Sequence, residues 1–118
     1  MAKHITTGKK GEELAASYFK ERGYEIMHKN WRHKHWEIDI IANRNNCLHI
    51  IEVKTRASTL FGHPEENISE KKIRYLMNAA EEFTYQYPEW KKLQFDVLSI
   101  TQLQGKPVEY FLIEDVYL

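Results

Sequence analysis

Cysteine is nearly absent from this chain: Cys47 stands alone among 118 residues. A lone thiol excludes an internal disulfide, and its setting predicts a small packing residue at the start of a strand rather than a nucleophile. No apolar stretch reaches the length of a signal or membrane-spanning segment, so the expected location is the cytoplasm. Repeats, linkers and low-complexity tracts are also missing, and the length fits one domain over residues 1–118 with a core that needs no covalent staples. A surplus of positive charge is the last absence. Lysine plus arginine and aspartate plus glutamate both number 17, whereas a dedicated nucleic-acid binder often carries excess base.

What is present is concentrated in two short strings, Trp36-Glu37-Ile38-Asp39-Ile40-Ile41 and Ile50-Ile51-Glu52-Val53-Lys54. Both are β-branched apolar runs interrupted by ionisable residues, the pattern of buried strands in which some positions serve chemistry. Alternation puts Glu52 and Lys54 on one face with Leu48 and Ile50, and Ile51 and Val53 on the other. On the earlier strand it groups Glu37, Asp39 and Ile41 against Ile38, Ile40 and Ala42. The intervening Asn43-Arg44-Asn45-Asn46 reads as a four-residue hairpin loop. That loop pairs Ala42 with Cys47, Asp39 with Ile50 and Glu37 with Glu52. Asp39 and Glu52 then become same-face diagonal neighbours about 7 to 8 Å apart at the backbone.

Two carboxylates so placed can hold one hard cation. Phosphodiester hydrolysis needs a charge-neutralising Lewis acid and an activated water, and Mg²⁺ on one or two carboxylates meets the first need. Asp39 and Glu52 are the expected metal ligands, with the Val53 carbonyl as a third. Lys54 is expected to activate the water or stabilise charge on phosphorus. Taken alone, Glu-x-Lys also describes the solvated face of an ordinary edge strand.

The N-terminal segment adds a helix. Leu14, Ala15, Tyr18 and Phe19 recur at helical spacing, Thr6 or Thr7 is available as N-cap, and Gly23 is placed to end the helix as its C′ residue. Gly8 and Gly11 weaken it by about 1 kcal/mol each relative to alanine, which predicts a close approach of another backbone or of a phosphate. Glu12 shares a stripe with Ala15 and Phe19 and can face the sheet.

Charge is unevenly spread despite its zero sum. Residues 27–36 hold Lys29, Arg32 and Lys34 with three histidines, two tryptophans and no acid, whereas acids gather at Glu65, Glu66, Glu81, Glu82 and after residue 108. Arg32 and Lys34 suit phosphates, while Trp31 is expected in the core. His33-Lys34-His35 lacks the convergent ligands of a zinc site and fits the rim of a phosphate groove. Downstream, Ser69 and Glu70 open a helix with core positions Ile73, Leu76, Met77, Ala80 and Phe83 that ends near Pro88. Lys72 lies off that stripe, able to reach a phosphate opposite the carboxylates. Residues 57–68 read as a loop edging the site. Strands follow at 95–100 and 108–113 around a Gln104-Gly105-Lys106-Pro107 turn, with Asp96 in a structural role.

Gly-x-x-Gly-Glu opening a helix that ends in Gly-Tyr, Asn30-x-Arg32, Glu37-Ile38-Asp39-Ile40-Ile41, Glu52-Val53-Lys54-x-Arg56, Phe61-Gly62, Lys72, an alanine pair and Phe95-Asp96-Val97 occur in this order over nearly the whole chain. In this the chain resembles the YraN family of proposed endonucleases, of the restriction-endonuclease-like superfamily and similar to archaeal Holliday-junction resolvases. The resemblance implies an α/β fold, a mixed central sheet flanked by helices, with Glu12 joining Asp39, Glu52 and Lys54 in the site. Trp36 departs from the pattern, which usually has glycine before Glu-Ile-Asp.

The expectation is a Mg²⁺-dependent endonuclease, with Mn²⁺ as a substitute, cutting DNA at branched or irregular structures and acting as a homodimer where both strands must be cut. Lys9, Lys10, Arg32, Lys34, Arg56 and Lys72 are the expected nucleic-acid contacts. The competing expectation is a catalytically idle nucleic-acid-binding or partner-binding module of the same fold, and RNA is the alternative substrate.

Overall fold

The computed structural model describes residues 2–56 and 70–116, with side chains from residue 10 onward. Among the described residues two helices flank a mixed five-stranded sheet of order β1-β2-β3-β4-β5. The expected mixed sheet with flanking helices is therefore present.

Helix α1, Ala2–Glu21, begins earlier than a threonine cap would place it. Its end is as the sequence predicts. Gly23 adopts φ +88°, its N–H bonds to the Lys20 carbonyl at 3.1 Å, and the Tyr24 N–H bonds to the Phe19 carbonyl at 3.0 Å. This is a Schellman cap, and the apolar contact that accompanies such caps is the Phe19–Tyr24 ring pair at 4.8 Å. Gly11 has a definite reason to be glycine: a Cβ there would lie 2.5 Å from Thr55 Oγ1. The close approach is by a strand side chain, not a backbone or a phosphate.

Strands β1 (Glu25–His33) and β2 (Trp36–Arg44) form a hairpin around Lys34 and His35. Lys34 sits at φ +56°, so the basic segment 27–36 is a strand and a tight turn. Strand β3, Cys47–Arg56, pairs antiparallel with β2 through a second tight turn. Here the register differs from expectation. The loop is only Asn45-Asn46, both at positive φ as a type I′ turn requires, and Arg44 rather than Ala42 faces Cys47. Asparagine tolerates left-handed backbone, so two asparagines suffice where four residues were expected. The shift is two residues, which preserves which face each side chain takes.

Strand β4, Leu93–Thr101, pairs parallel with β3, and β5, Glu109–Ile113, pairs antiparallel with β4. The crossover between the parallel strands carries helix α2, Glu70–Gln86. One face of the sheet packs Ile38, Ile41, Leu48, Ile50 and Phe95 against Leu76, Ala79, Ala80 and Phe83 of α2, with Trp31 beside them as expected. The other packs Ile40, Ala42, Ile51, Leu98 and Ile100 against Ala15 and Phe19 of α1. Met77 is 45% exposed, and Ala79 takes the core place expected of it. The loop expected at 57–68 and the motif residues Phe61 and Gly62 lie outside the described residues.

Besides a register shift in β1 between Ile26 and His28, alternation fails at one point of β2. Ile38 joins Ile41 on the α2 face, whereas Ile40 and Ala42 face α1, so the expected partition of β2 breaks at Asp39. On β1, between the Lys29–Ile40 and Trp31–Ile38 pairs, Asn30 lies opposite Asp39 at φ +55°. Strand irregularities of this kind re-aim side chains.

Candidate active site

The break in β2 sets the geometry of the site. The regular β2–β3 ladder ends at the Ile40–Ile51 pair. One step further Asp39 comes level with Glu52, and the Asp39 carboxylate takes the place of a ladder carbonyl, accepting the Val53 N–H at 2.8 Å. This direct juxtaposition replaces the diagonal one expected from the sequence, because the register is two residues further along. Burial, together with the neighbouring Glu52 and Glu37 carboxylates, pushes the Asp39 carboxyl up to about 6 against the opposing pull of the Val53 N–H and Lys72.

Glu52 is buried, yet both of its oxygens face lysines. Lys72 Nζ of α2 lies 3.4 Å from one and Lys54 Nζ lies 3.8 Å from the other. Lys72 also stands over the Tyr75 ring, 4.9 Å from its centre. The alternation of β3 is as expected, with Leu48 and Ile50 packed against α2 and Ile51 and Val53 against α1. Lys72, expected to reach a phosphate opposite the carboxylates, reaches a carboxylate itself.

Glu12 accepts a hydrogen bond from Asn30 Nδ2 at 2.8 Å. Asn30 lies across from Asp39 in the β1–β2 register, so this hydrogen bond ties α1 to the strand beside the site. Among the described residues no three of Asp, Glu, His and Cys form a group that could hold a metal. The acids brought together are the pair Asp39 and Glu52, with Glu37 near enough to be felt electrostatically.

The remaining candidates are spread out. Arg32 pairs with Glu37 at 3.3 Å on the surface, and Lys34 is exposed at the hairpin tip. Arg56 closes β3, its carbonyl accepting the Gln102 N–H at 2.8 Å. Lys10 is exposed beside the β4–β5 turn, in a shallow cleft with Gln102 and Lys106. The Lys9 side chain lies outside those described. His33 stands 3.7 Å from Glu82.

Sequence reasoning gave no site role to Asn30 or Tyr75. Tyr75 Oη accepts the Glu37 N–H at 2.8 Å and donates to the His35 carbonyl at 2.5 Å, pinning the β1–β2 hairpin to α2. The only sequence signal was its position three residues after Lys72, one helical turn on. A buried hydrogen bond between His49 Nδ1 and Asp96 Oδ2 at 2.7 Å was equally unforeseen, though Asp96 is structural as expected. It also accepts from Gln94 Nε2 and the Asp115 N–H, both at 2.9 Å.

The donor set suits a hard divalent cation. Asp39 and Glu52 are oxygen donors, and the Asp39 carboxyl is raised first by burial and then by the Glu52 and Glu37 charges, the part that a cation would offset.

Comparison with known proteins covers the same residues. The model of the uncharacterised protein family UPF0102 matches residues 11–100, from Gly11 through β4. A UPF0102 protein of Bacteroides thetaiotaomicron is 42% identical over 105 residues, covering 89% of this chain and 87% of its own. Another from Christiangramia forsetii is 37% identical over 118 residues, covering 99% and 98%. A third, from Flavobacterium johnsoniae, is 38% identical over 118 residues, covering 97% and 93%. Matches of this extent establish the relationship, and the chain belongs to UPF0102, the YraN family that its motifs resemble.

Proposed function

We propose that this protein is an endonuclease that hydrolyses DNA phosphodiester bonds with Mg²⁺ or Mn²⁺ as cofactor, in a restriction-endonuclease-like arrangement. The observation that carries this reading is the Asp39 carboxylate, bent from its own strand onto the Val53 N–H and raised to about 6 beside Glu52 and two lysines. Perturbed carboxyls of this kind gather at functional sites. Asp39, Glu52 and the Val53 carbonyl would hold the cation, which supplies charge neutralisation at the phosphate and a more acidic water.

The chain's own residues do the rest. Lys54 orients the attacking water and stabilises the charge that grows on the phosphoryl oxygens. Lys72 balances Glu52 until substrate arrives and then turns to a phosphate oxygen. Glu12 acts through Asn30 as a positioning residue for the Asp39 segment. Lys10, Arg32, Lys34 and Arg56 would track the backbone on either side, and branched or irregular DNA is the favoured substrate.

The pairing of both Glu52 oxygens with lysines supports a second reading, a binding module in which internal cations stand where a metal would. The two separate in one assay. Purified protein with Mg²⁺ or Mn²⁺ is given labelled duplex, single-stranded and four-way-junction DNA, and RNA, alongside Glu52→Ala and Lys54→Ala. The nuclease reading expects cleavage that falls at least about 100-fold in each variant. Binding without cleavage, unaltered by either substitution, would establish the module instead.

A further inference from the structure

Strand β5 closes one edge of the sheet and, apart from being only five residues long, does so with little protection. Edge strands are normally blunted by lysine, proline, bulges or a covering element. Glu109–Ile113 has a single charge, at its first residue, and contains neither lysine nor proline. Phe111 is 53% and Tyr110 37% exposed. Among the described residues no strand pairs with the outer edge of β5.

The strand is also complementary to itself. In an antiparallel pairing centred on Phe111, each Phe111 meets its own copy, Tyr110 meets Leu112, and Glu109 meets Ile113. No like charges oppose one another, and the same register carried past the strand ends sets Lys106 one residue from Asp115 of the other copy. We infer that β5 is the interface of a homodimer, in which two sheets join edge to edge through a two-fold axis at Phe111.

The register fixes where such a dimer puts its two sites. Glu52 pairs with Val97, which pairs with Ile113, two residues along from Phe111. At the usual strand spacing and rise, the two Glu52 positions lie about 24 Å apart across the strands and about 14 Å along them, or about 28 Å in all. A two-fold axis normal to the sheet keeps both on the same face. Two sites held so can address the two strands of one duplex; this consequence rests on the nuclease reading, whereas the interface itself does not.

A five-residue strand pair is small beside the area of stable dimers, so association in the micromolar range is expected. Analytical ultracentrifugation without DNA or metal, from micromolar to hundreds of micromolar protein, should show a monomer–dimer equilibrium that Phe111→Lys abolishes while circular dichroism stays unchanged. Phe111→Cys in a Cys47→Ala background should cross-link under mild oxidation, because directly opposed strand residues lie within disulfide reach. Glu109→Cys in that background should cross-link only when mixed with Ile113→Cys. A monomer at every concentration, or a dimer that survives Phe111→Lys and fails to cross-link at Phe111, would overturn the interface. Should nicking activity be lacking in every variant, the nuclease reading fails and the sedimentation result is unaffected. If the dimer forms and nicking is present, Phe111→Lys should convert double-strand breaks to single nicks without slowing the nick.

Discussion

Asp39 is held at a cost to the folded chain. Its carboxyl is raised to about 6 by burial first and then by Glu52 and Glu37. An unfolded aspartate loses its proton near pH 3.9, so between about pH 4 and pH 6 the folded state binds more protons than the unfolded one, and stability falls as pH rises through that window. A neutral carboxamide at this position would keep an oxygen for the Val53 N–H without the charge. Asp39→Asn should therefore be more stable than the parent by about 1 to 3 kcal/mol at pH 7 in the presence of chelator, with the gap closing near pH 4. Urea denaturation at the two pH values checks this, and a variant less stable at pH 7 would refute it. Addition of Mg²⁺ should stabilise the parent and leave Asp39→Asn unchanged.

At the scale of elements, the packing of α1 against β3 turns on Gly11 and Thr55. A methyl group at Gly11 would meet Thr55 Oγ1 at 2.5 Å and Cγ2 at 3.5 Å, so rotating the threonine exchanges one contact for another. Gly11→Ala alone should lower stability by about 1 kcal/mol or more, since the overlap outweighs the gain in helix propensity. In a Thr55→Ala background the sign should reverse, to a gain of about 0.5 to 1 kcal/mol. A double-mutant cycle by thermal or urea unfolding measures the difference. The sequence announced that a glycine was needed in this helix. It could not say that the cause was a threonine on a strand more than forty residues away.

For the whole molecule, net charge zero sets the expectation for affinity. Arg32 is paired with Glu37, and Lys72 with Glu52. Both pairs must open for the phosphate contacts proposed above, so binding of duplex DNA by Lys54→Ala should weaken with salt at a slope of about −4 to −5, the mark of about five phosphate contacts. Fluorescence anisotropy between 50 and 200 mM salt, roughly the range over which such slopes are resolved, tests it. A slope of about −2 to −3 would mean that Arg32 and Lys72 stay with Glu37 and Glu52 and do not reach phosphates.

The strands β2 to β5, the second helix and the Schellman end of the first were legible because periodicity, glycine and asparagine act locally on the backbone. Glu52 and Lys54 on one face of β3 followed from alternation alone, and family membership from motif order. Four matters waited for tertiary structure: the two-residue turn at Asn45-Asn46, the irregularity that turns Asp39 into the ladder, the hydrogen bond of Asn30 to Glu12, and the meeting of Lys72 with Glu52. Each depends on contacts between segments distant in the chain. A local pattern fixes which way a side chain points along its own strand, but only the pairing of strands and the packing of a helix across them decide which charges meet.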